Sequence, residues 1–345
     1  MRMKAVQKVA KGSDGIGLRD VPEPTPAPNE LKIKIHAAGI CGTDLHIKYD
    51  EYTCFPPVTM GHEYSGTVVE VGSDVKGFAV GDRVVSLTAI HTCGHCRYCY
   101  EGLLMLCQER LSIGSGRNGA FAEYMVIPSH LVFHIPDGVS LEAAALCEPL
   151  ACVVRGVIER ADIKAGDYAL VTGPGAIGQL ALQCAKASGA RVAISGTSQD
   201  AERLELARKL GADETIMIDS VDMAEATAKF TGGAGFDIAF ECSGAAPAAD
   251  SCLRALRKHS QYAQIGIFGK PITFDMDLAL LKEIKITNSF ASERTSWIIA
   301  LRLLADKKVD TLPLISGKFA LEDWEKAFSM AENREGYKIL FMPGM

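Results

Sequence analysis

No stretch of this 345-residue chain stays apolar for long. A membrane-crossing helix needs about 18 consecutive apolar residues, and no run reaches that, so no span is expected. The opening residues, MRMKAVQKVAKGSDG, lack a long apolar segment too, and no secretory signal is expected. Basic blocks are missing and the formal net charge is -6, which argues against a nucleic-acid partner. There is no internal repeat and no low-complexity tract. What remains is 48% hydrophobic and 23% charged, ordinary for a globular protein of about two domains. The cytoplasm is the expected compartment.

The first half reads as short strands between turn signals. LKIKIHAAG, SGTVVEVG and GDRVVSLT are rich in β-branched residues and bounded by Gly, Pro or Asp, while EPTPAPNE (Glu23 to Glu30) is a proline-rich turn. GAFAEYMVIP and LVFHIPDG continue the pattern, giving a mostly β lobe. From Leu141 the pattern turns helical, with Pro149 starting or interrupting a helix. Strands and helices then alternate: DYALVTG, AIGQLALQCAKASG, RVAISG, DAERLELARKLGA, FDIAFECSG and QYAQIGIFG. Such alternation predicts an α/β fold with a doubly wound parallel sheet. The end, from about Ser289, mixes a helix (WIIALRLLADKK) with a strand-like GYKILFMP.

Eleven cysteines are present. Four of them, Cys93, Cys96, Cys99 and Cys107, form C-x2-C-x2-C-x7-C. Disulfides or unbound thiols are the other readings, but this spacing aims four thiolates at one tetrahedral Zn²⁺. Four sulfurs close the coordination sphere, so that metal would be structural. Cys54, Cys147, Cys152, Cys184, Cys242 and Cys252 are scattered and read as small core hydrophobes.

Gly173-Pro174-Gly175-Ala176-Ile177-Gly178 is G-x-G-x-x-G after the strand YALVT and at the start of a helix, the context a dinucleotide site requires. Gly173 permits the turn, Gly175 lets the backbone approach a pyrophosphate, and Gly178 packs helix on strand. The acid that holds the ribose of NAD belongs about 20 residues further on. There the chain has Ser195-Gly196-Thr197-Ser198-Gln199-Asp200. Ser198 and Asp200 are ribose candidates, although Asp200 equally suits a helix N-terminus. Arg203 either meets a 2′-phosphate or lies on a solvated helix face. NAD and NADP both stay open.

Three separated segments offer a second ligand set: Cys41 in AGICGTDLH, His62 and Glu63 in MGHEYSG, and Glu148 in CEPL. Sulfur, imidazole and carboxylate together suit Zn²⁺, and three protein ligands would leave a position open for chemistry.

In this order CGTDLH, GHEYSGTVVEVG, the cysteine array, EPL and GPGAIG resemble the zinc-dependent medium-chain alcohol dehydrogenases over essentially the whole chain. The polyol branch (sorbitol, xylitol and butanediol dehydrogenases) is most similar, with threonine dehydrogenase as a near relative. The resemblance implies a GroES-like catalytic lobe from residues 1–150 and 290–345, a Rossmann lobe from 151–289, and a cleft at their junction. It implies two Zn²⁺ per chain. Cys41 and His62 would be ligands of the catalytic ion. Glu63 would be a ligand or a close carboxylate, and Glu148 a fourth ligand or the group that holds a water. Asp44 would orient His62, and Thr43 and His46 would begin a proton relay. The activity implied is hydride transfer between a secondary alcohol, a polyol or sugar derivative, and NAD or NADP. Oxidation of an amino-alcohol, as by L-threonine 3-dehydrogenase, is the alternative.

Two positions depart from the polyol pattern. Ile47 stands where a tyrosine is usual after the motif histidine, and Phe290 is followed by Ala291, with Arg294 displaced. Lys48, Arg117 and Arg294 are candidates for an acidic or phosphorylated substrate, or simply surface charges. A zinc-free reductase on the same fold would need neither Cys41, His62 nor Glu148, and a zinc-binding redox sensor would not need GPGAIG. KITNSF (Lys285 to Phe290) resembles the edge strand through which relatives pair, which implies a dimer or tetramer.

Overall fold

A computed structural model describes residues 1–345. The chain divides into two compact units. The first holds Met1–Pro149, Glu293–Ala305 and Thr311–Met345, and the second holds Leu150–Ser292 and Asp306–Asp310. No helix is long and apolar enough to cross a membrane.

In the first unit the longest strand, Glu30–Gly39, shows how the sequence selects its partners. Leu31, Ile33, Ile35 and Ala37 are buried, while Lys34 and His36 between them are exposed. Alternation of this kind fixes register, because a one-residue slip would turn the apolar set to water. The strand pairs antiparallel with Glu63–Val71 on one side and with Tyr124–Pro128 and Lys338–Phe341 on the other. Two of these pairings meet at one residue: Gly39 lies opposite both Glu63 and Leu340. The chain's last strand is thereby brought beside the GHE segment. Under this sheet Phe121, Phe328 and Phe341 pack edge to face or tilted, with Phe121 and Phe341 centroids 4.9 Å apart. The helix Arg294–Ala305 joins the same unit by stacking Trp297 on Phe133 at 5.9 Å.

In the second unit six parallel strands lie in the spatial order Glu214–Met217, Arg191–Gly196, Tyr168–Thr172, Phe236–Glu241, Leu256–Gln264, Lys285–Asn288. Their central members are buried on both faces, as crossover helices require. Leu170, Ala193, Phe236, Ala239 and Cys252 are within one apolar cluster. The stretch QYAQIGIFG is strand only to Gln264. Ile265 and Gly266 donate instead to the carbonyl of Glu241, which ends the ladder.

Around Pro149 the helical expectation resolves into two pieces, Leu141–Ala145 and Cys147–Val154, followed by a π-helical turn at Arg155–Arg160. Pro149 occupies the first turn of the second piece, where its missing N–H costs nothing. Among the scattered cysteines Cys147, Cys184 and Cys252 are buried, whereas Cys54, Cys152 and Cys242 are only partly so.

Candidate active site

Cys41 caps the helix Gly42–Lys48, and its N–H donates to Asp44 Oδ2 at 2.9 Å. Asp44 is thus pinned inside the protein, fully buried, and burial raises its carboxyl above the usual range. Its other oxygen, Oδ1, has no hydrogen-bond partner and stands 3.8 Å from His62 Nδ1. Burial pulls the His62 imidazolium down, but Asp44, Cys41 and Glu148 outweigh it, so the ring is held well above its ordinary range.

Cys41, His62 and Glu63 each offer one donor atom, and these atoms lie within 4.8 Å of one another. The set fits Zn²⁺ chemically, with one sulfur, one imidazole and one carboxylate. The orphaned Asp44 oxygen fits as well. A histidine that binds metal through one ring nitrogen needs an acceptor for the N–H of the other, and Oδ1 is that acceptor in waiting. Glu148 lies outside this trio but close enough to act electrostatically on both His62 and Lys338, and it is 8% exposed.

Lys338 is the residue beside this trio that local sequence reasoning passes over. Its Nζ donates to both oxygens of Glu63, at 2.5 and 2.7 Å, inside the protein. Burial alone would lower this ammonium, but Glu63 and Cys41 raise it. One signal was available: Lys338 heads KILF, a strand buried at every position, and a lysine in such a strand needs a counter-charge.

Thr43 and His46 sit one helical turn apart on Gly42–Lys48. The Thr43 hydroxyl is 3.8 Å from Cys41 Sγ, and His46 Nδ1 is 2.7 Å from Glu51 on the exposed side. Of the cationic substrate candidates, Lys48 is tied to Glu332 and Arg294 donates to the His130 carbonyl while lying over the Phe133 ring. Arg117 is exposed.

The cysteine array draws Cys93, Cys96, Cys99 and Cys107 within 4.8 Å of one another. Sulfurs of Cys96 and Cys99 are 3.5 Å apart, too far for a disulfide. The N–H groups of Cys96 and Cys93 donate to the sulfurs of Cys93 and Cys107. Backbone donors favour thiolates, and Cys93 is lowered to about 6, chiefly by the N–H of His95. The Cys99 N–H favours a Cys96 thiolate too, but burial and the neighbouring thiols push Cys96 up to about 11.

In the second unit Gly173 has φ +86° at the end of Tyr168–Thr172, and the 12-residue helix Ala176–Ala187 follows. A Cβ on Gly178 would come within 1.9 Å of the Gly173 carbonyl oxygen, so only glycine lets this helix start so close to the turn. Its free N–H groups and positive dipole end suit a pyrophosphate, with Ala176 and Ile177 in its first turn. Further along, the Asp200 carboxylate accepts from the N–H and hydroxyl of Thr197 and pairs with Arg203. Ser198 gives its N–H and hydroxyl to Asp219, which lowers that carboxyl.

Comparison with known proteins gives the family. Residues 27–137 match the alcohol dehydrogenase GroES-like domain, and residues 176–306 the zinc-binding dehydrogenase domain. A sorbitol dehydrogenase of Halalkalibacterium halodurans is 41% identical over 342 residues, 99% of each chain. A D-arabitol-phosphate dehydrogenase of Enterococcus avium is 37% identical, covering 98% of this chain and 97% of its own. The chain belongs to the zinc-dependent medium-chain alcohol dehydrogenases. A zinc-binding dehydrogenase of Sinorhizobium meliloti 1021, solved bound to NADP, superposes with a TM-score of 0.92 at 33% identity over 99% of this chain and 100% of its own. This dehydrogenase is therefore an NAD(P)-dependent enzyme acting on an alcohol, with zinc, and the mixed fold expected from its strand–helix alternation is the one found.

Proposed function

We propose that the enzyme oxidises a secondary hydroxyl of a polyol or sugar derivative, with Cys41, His62 and Glu63 holding the catalytic Zn²⁺ and Glu148 beside them. The observation that carries this reading is the convergence of a sulfur, an imidazole and a carboxylate within 4.8 Å, backed by an unsatisfied buried acid behind the imidazole. The names of two relatives, a sorbitol and an arabitol-phosphate dehydrogenase, support the substrate class.

When bound, Zn²⁺ supplies the Lewis acidity that lets an alcohol ionise near neutral pH, and the dinucleotide accepts the hydride. The chain's own residues do the rest. Asp44 fixes the His62 ring. Thr43 would accept the alcohol proton while giving its own hydroxyl proton toward the cofactor ribose, from which His46, half exposed and paired with Glu51, would pass a proton to water. The turn Gly173–Gly178 holds the pyrophosphate. Ser198, Asp200 and Arg203 are the candidates for the adenosine ribose or its 2′-phosphate. Asp200 is engaged by Thr197 and Arg203, so the loop carries no uncommitted acid for a ribose diol, and both NAD and NADP suit this reading. Amino-alcohol oxidation is the second reading, supported by a threonine 3-dehydrogenase of Klebsiella pneumoniae that is 36% identical over 342 residues.

The four-cysteine array holds the second Zn²⁺. None of the eleven cysteines is in a disulfide, which suits a reducing cytoplasm. Self-association, as a dimer or tetramer, is supported by the edge strand Lys285–Asn288, whose Ile286 is 41% exposed, with Phe290 and Leu281 nearby in sequence at 50% and 75%. Ile286→Lys is expected to lower the mass measured by light scattering, and an unchanged mass would rule out this edge.

The test of function is a panel of polyols, their phosphates and amino-alcohols, run separately with NAD⁺ and NADP⁺ alongside zinc analysis. Two zincs per chain and turnover of a polyol or its phosphate are expected. Activity confined to amino-alcohols would select the second reading.

A further inference from the structure

Three donor side chains converge, with a fourth carboxylate near them, on a site that needs one position free. A catalytic zinc keeps three protein ligands and an exchangeable fourth position, yet Cys41, His62, Glu63 and Glu148 are all close at hand. Three of them are negative when ionised. Such a set neutralises a divalent cation and blunts its pull on an alcohol oxygen. Lys338 answers both problems.

The geometry is specific. The Glu63 side chain is 0% exposed and that of Lys338 7%, and both Glu63 oxygens accept from one ammonium. Sheet register forces the encounter, because Gly39 lies opposite Glu63 and Leu340 at once. Gly39 also makes the room: a Cβ there would stand 2.4 Å from Glu63 Oε2. His62 also stands within 4.8 Å of Glu63, but it is Lys338 whose ammonium is fixed on both carboxylate oxygens. A buried carboxylate with a fixed ammonium on both oxygens has less charge to give a metal than a free one.

We infer that Lys338 is a positioning residue that holds the Glu63 carboxylate and offsets its charge, keeping the catalytic metal electrophilic and its fourth position exchangeable. The inference rests on the proposed zinc site, and it assigns to Lys338 a role toward the metal rather than toward folding alone.

The experiment measures metal binding directly. Wild type, Lys338→Met, Lys338→Gln, Glu63→Gln and Glu63→Gln/Lys338→Met are stripped of metal. They are then titrated with Zn²⁺ against a chelator and with Co²⁺ by visible absorption. Without Lys338 the buried carboxylate loses the ammonium fixed on both its oxygens, a costly loss that a bound cation makes good. Affinity at the Cys41 site is therefore expected to rise in Lys338→Met, by about the 10- to 100-fold that outer partners of metal ligands typically control, and the Co²⁺ spectrum to shift as Glu63 becomes a stronger donor. Both changes are expected to vanish in the Glu63→Gln background. Lys338→Gln, still a hydrogen-bond donor but uncharged, gives the same sign if Lys338→Met does not fold. Unchanged or weaker affinity with an unshifted spectrum in a folded neutral variant overturns the inference. Failure of wild type to bind Co²⁺ through Cys41 would instead overturn the zinc site itself.

Discussion

Cys41→Ser is expected to remove the zinc proposed at the Cys41 site and to lower alcohol-dependent reduction of the nicotinamide cofactor by at least ~10³-fold, while the fold survives. A serine hydroxyl is neutral at pH 7, whereas the thiolate brings both a charge and a soft donor. Losing it leaves His62 and Glu63 to hold a cation, and Glu63 is already committed to Lys338. The Lewis acidity that makes an alcohol ionise near neutral pH goes with the metal. The fold is spared for a local reason. Cys41 is the N-cap of Gly42–Lys48, and serine is among the best N-cap residues. The backbone bond from residue 41 to Asp44 does not involve the sulfur. Metal analysis, circular dichroism and steady-state rates on one preparation check this. A variant that keeps the zinc content of wild type, or turns over within tenfold of it, sinks the assignment of Cys41.

How much of this was written in the sequence depends on the range over which each signal acts. LKIKIHAAG announced a half-buried strand because alternation is local, and the structure buries Leu31, Ile33 and Ile35 as that pattern asks. GPGAIG was legible because a turn, a helix start and a close packing contact all fall within six residues. The Lys338–Glu63 pair was not, since 275 residues separate its members and only sheet register brings them together. Nor does spacing reveal which way a carboxylate turns. Asp200 stands at the right distance for a ribose acid, yet its oxygens face Thr197 and Arg203. Ser198 meets Asp219, a residue from the next strand's loop that no motif singled out. Glu148 has the right neighbours in sequence and still falls outside the trio of mutual ligands. The π-helical turn at Arg155–Arg160 had no sequence signal, because a single extra residue in a helical turn leaves apolar periodicity nearly unchanged.

The opposite pattern is expected for Cys99→Ser: stability collapses and the chemistry of surviving molecules changes little. The segment Cys93–Cys107 has almost no core of its own. Its only regular structure is the four-residue helix Arg97–Tyr100 and a short turn at Leu104–Leu106, and Tyr100 is 78% exposed. What holds it is the meeting of four sulfurs, with Cys99 Sγ 3.5 Å from Cys96 and 3.9 Å from Cys93. Structural zinc in small peptides contributes about 10–16 kcal/mol of apparent binding energy, and a domain of this size is stable by only ~5–15 kcal/mol. Losing one of four thiolates therefore threatens the first unit as a whole. The metal-free thiols add a pH dependence of known sign. Cys96, at about 11, must shed a proton to bind, so binding releases protons and acid drives the metal out. Zinc-dependent stability is thus present at neutral and alkaline pH and is lost as pH falls. Thermal melts of wild type with and without chelator, repeated at falling pH, should converge on the melt of Cys99→Ser. A variant that melts with wild type but has lost turnover would move this metal from scaffold to chemistry.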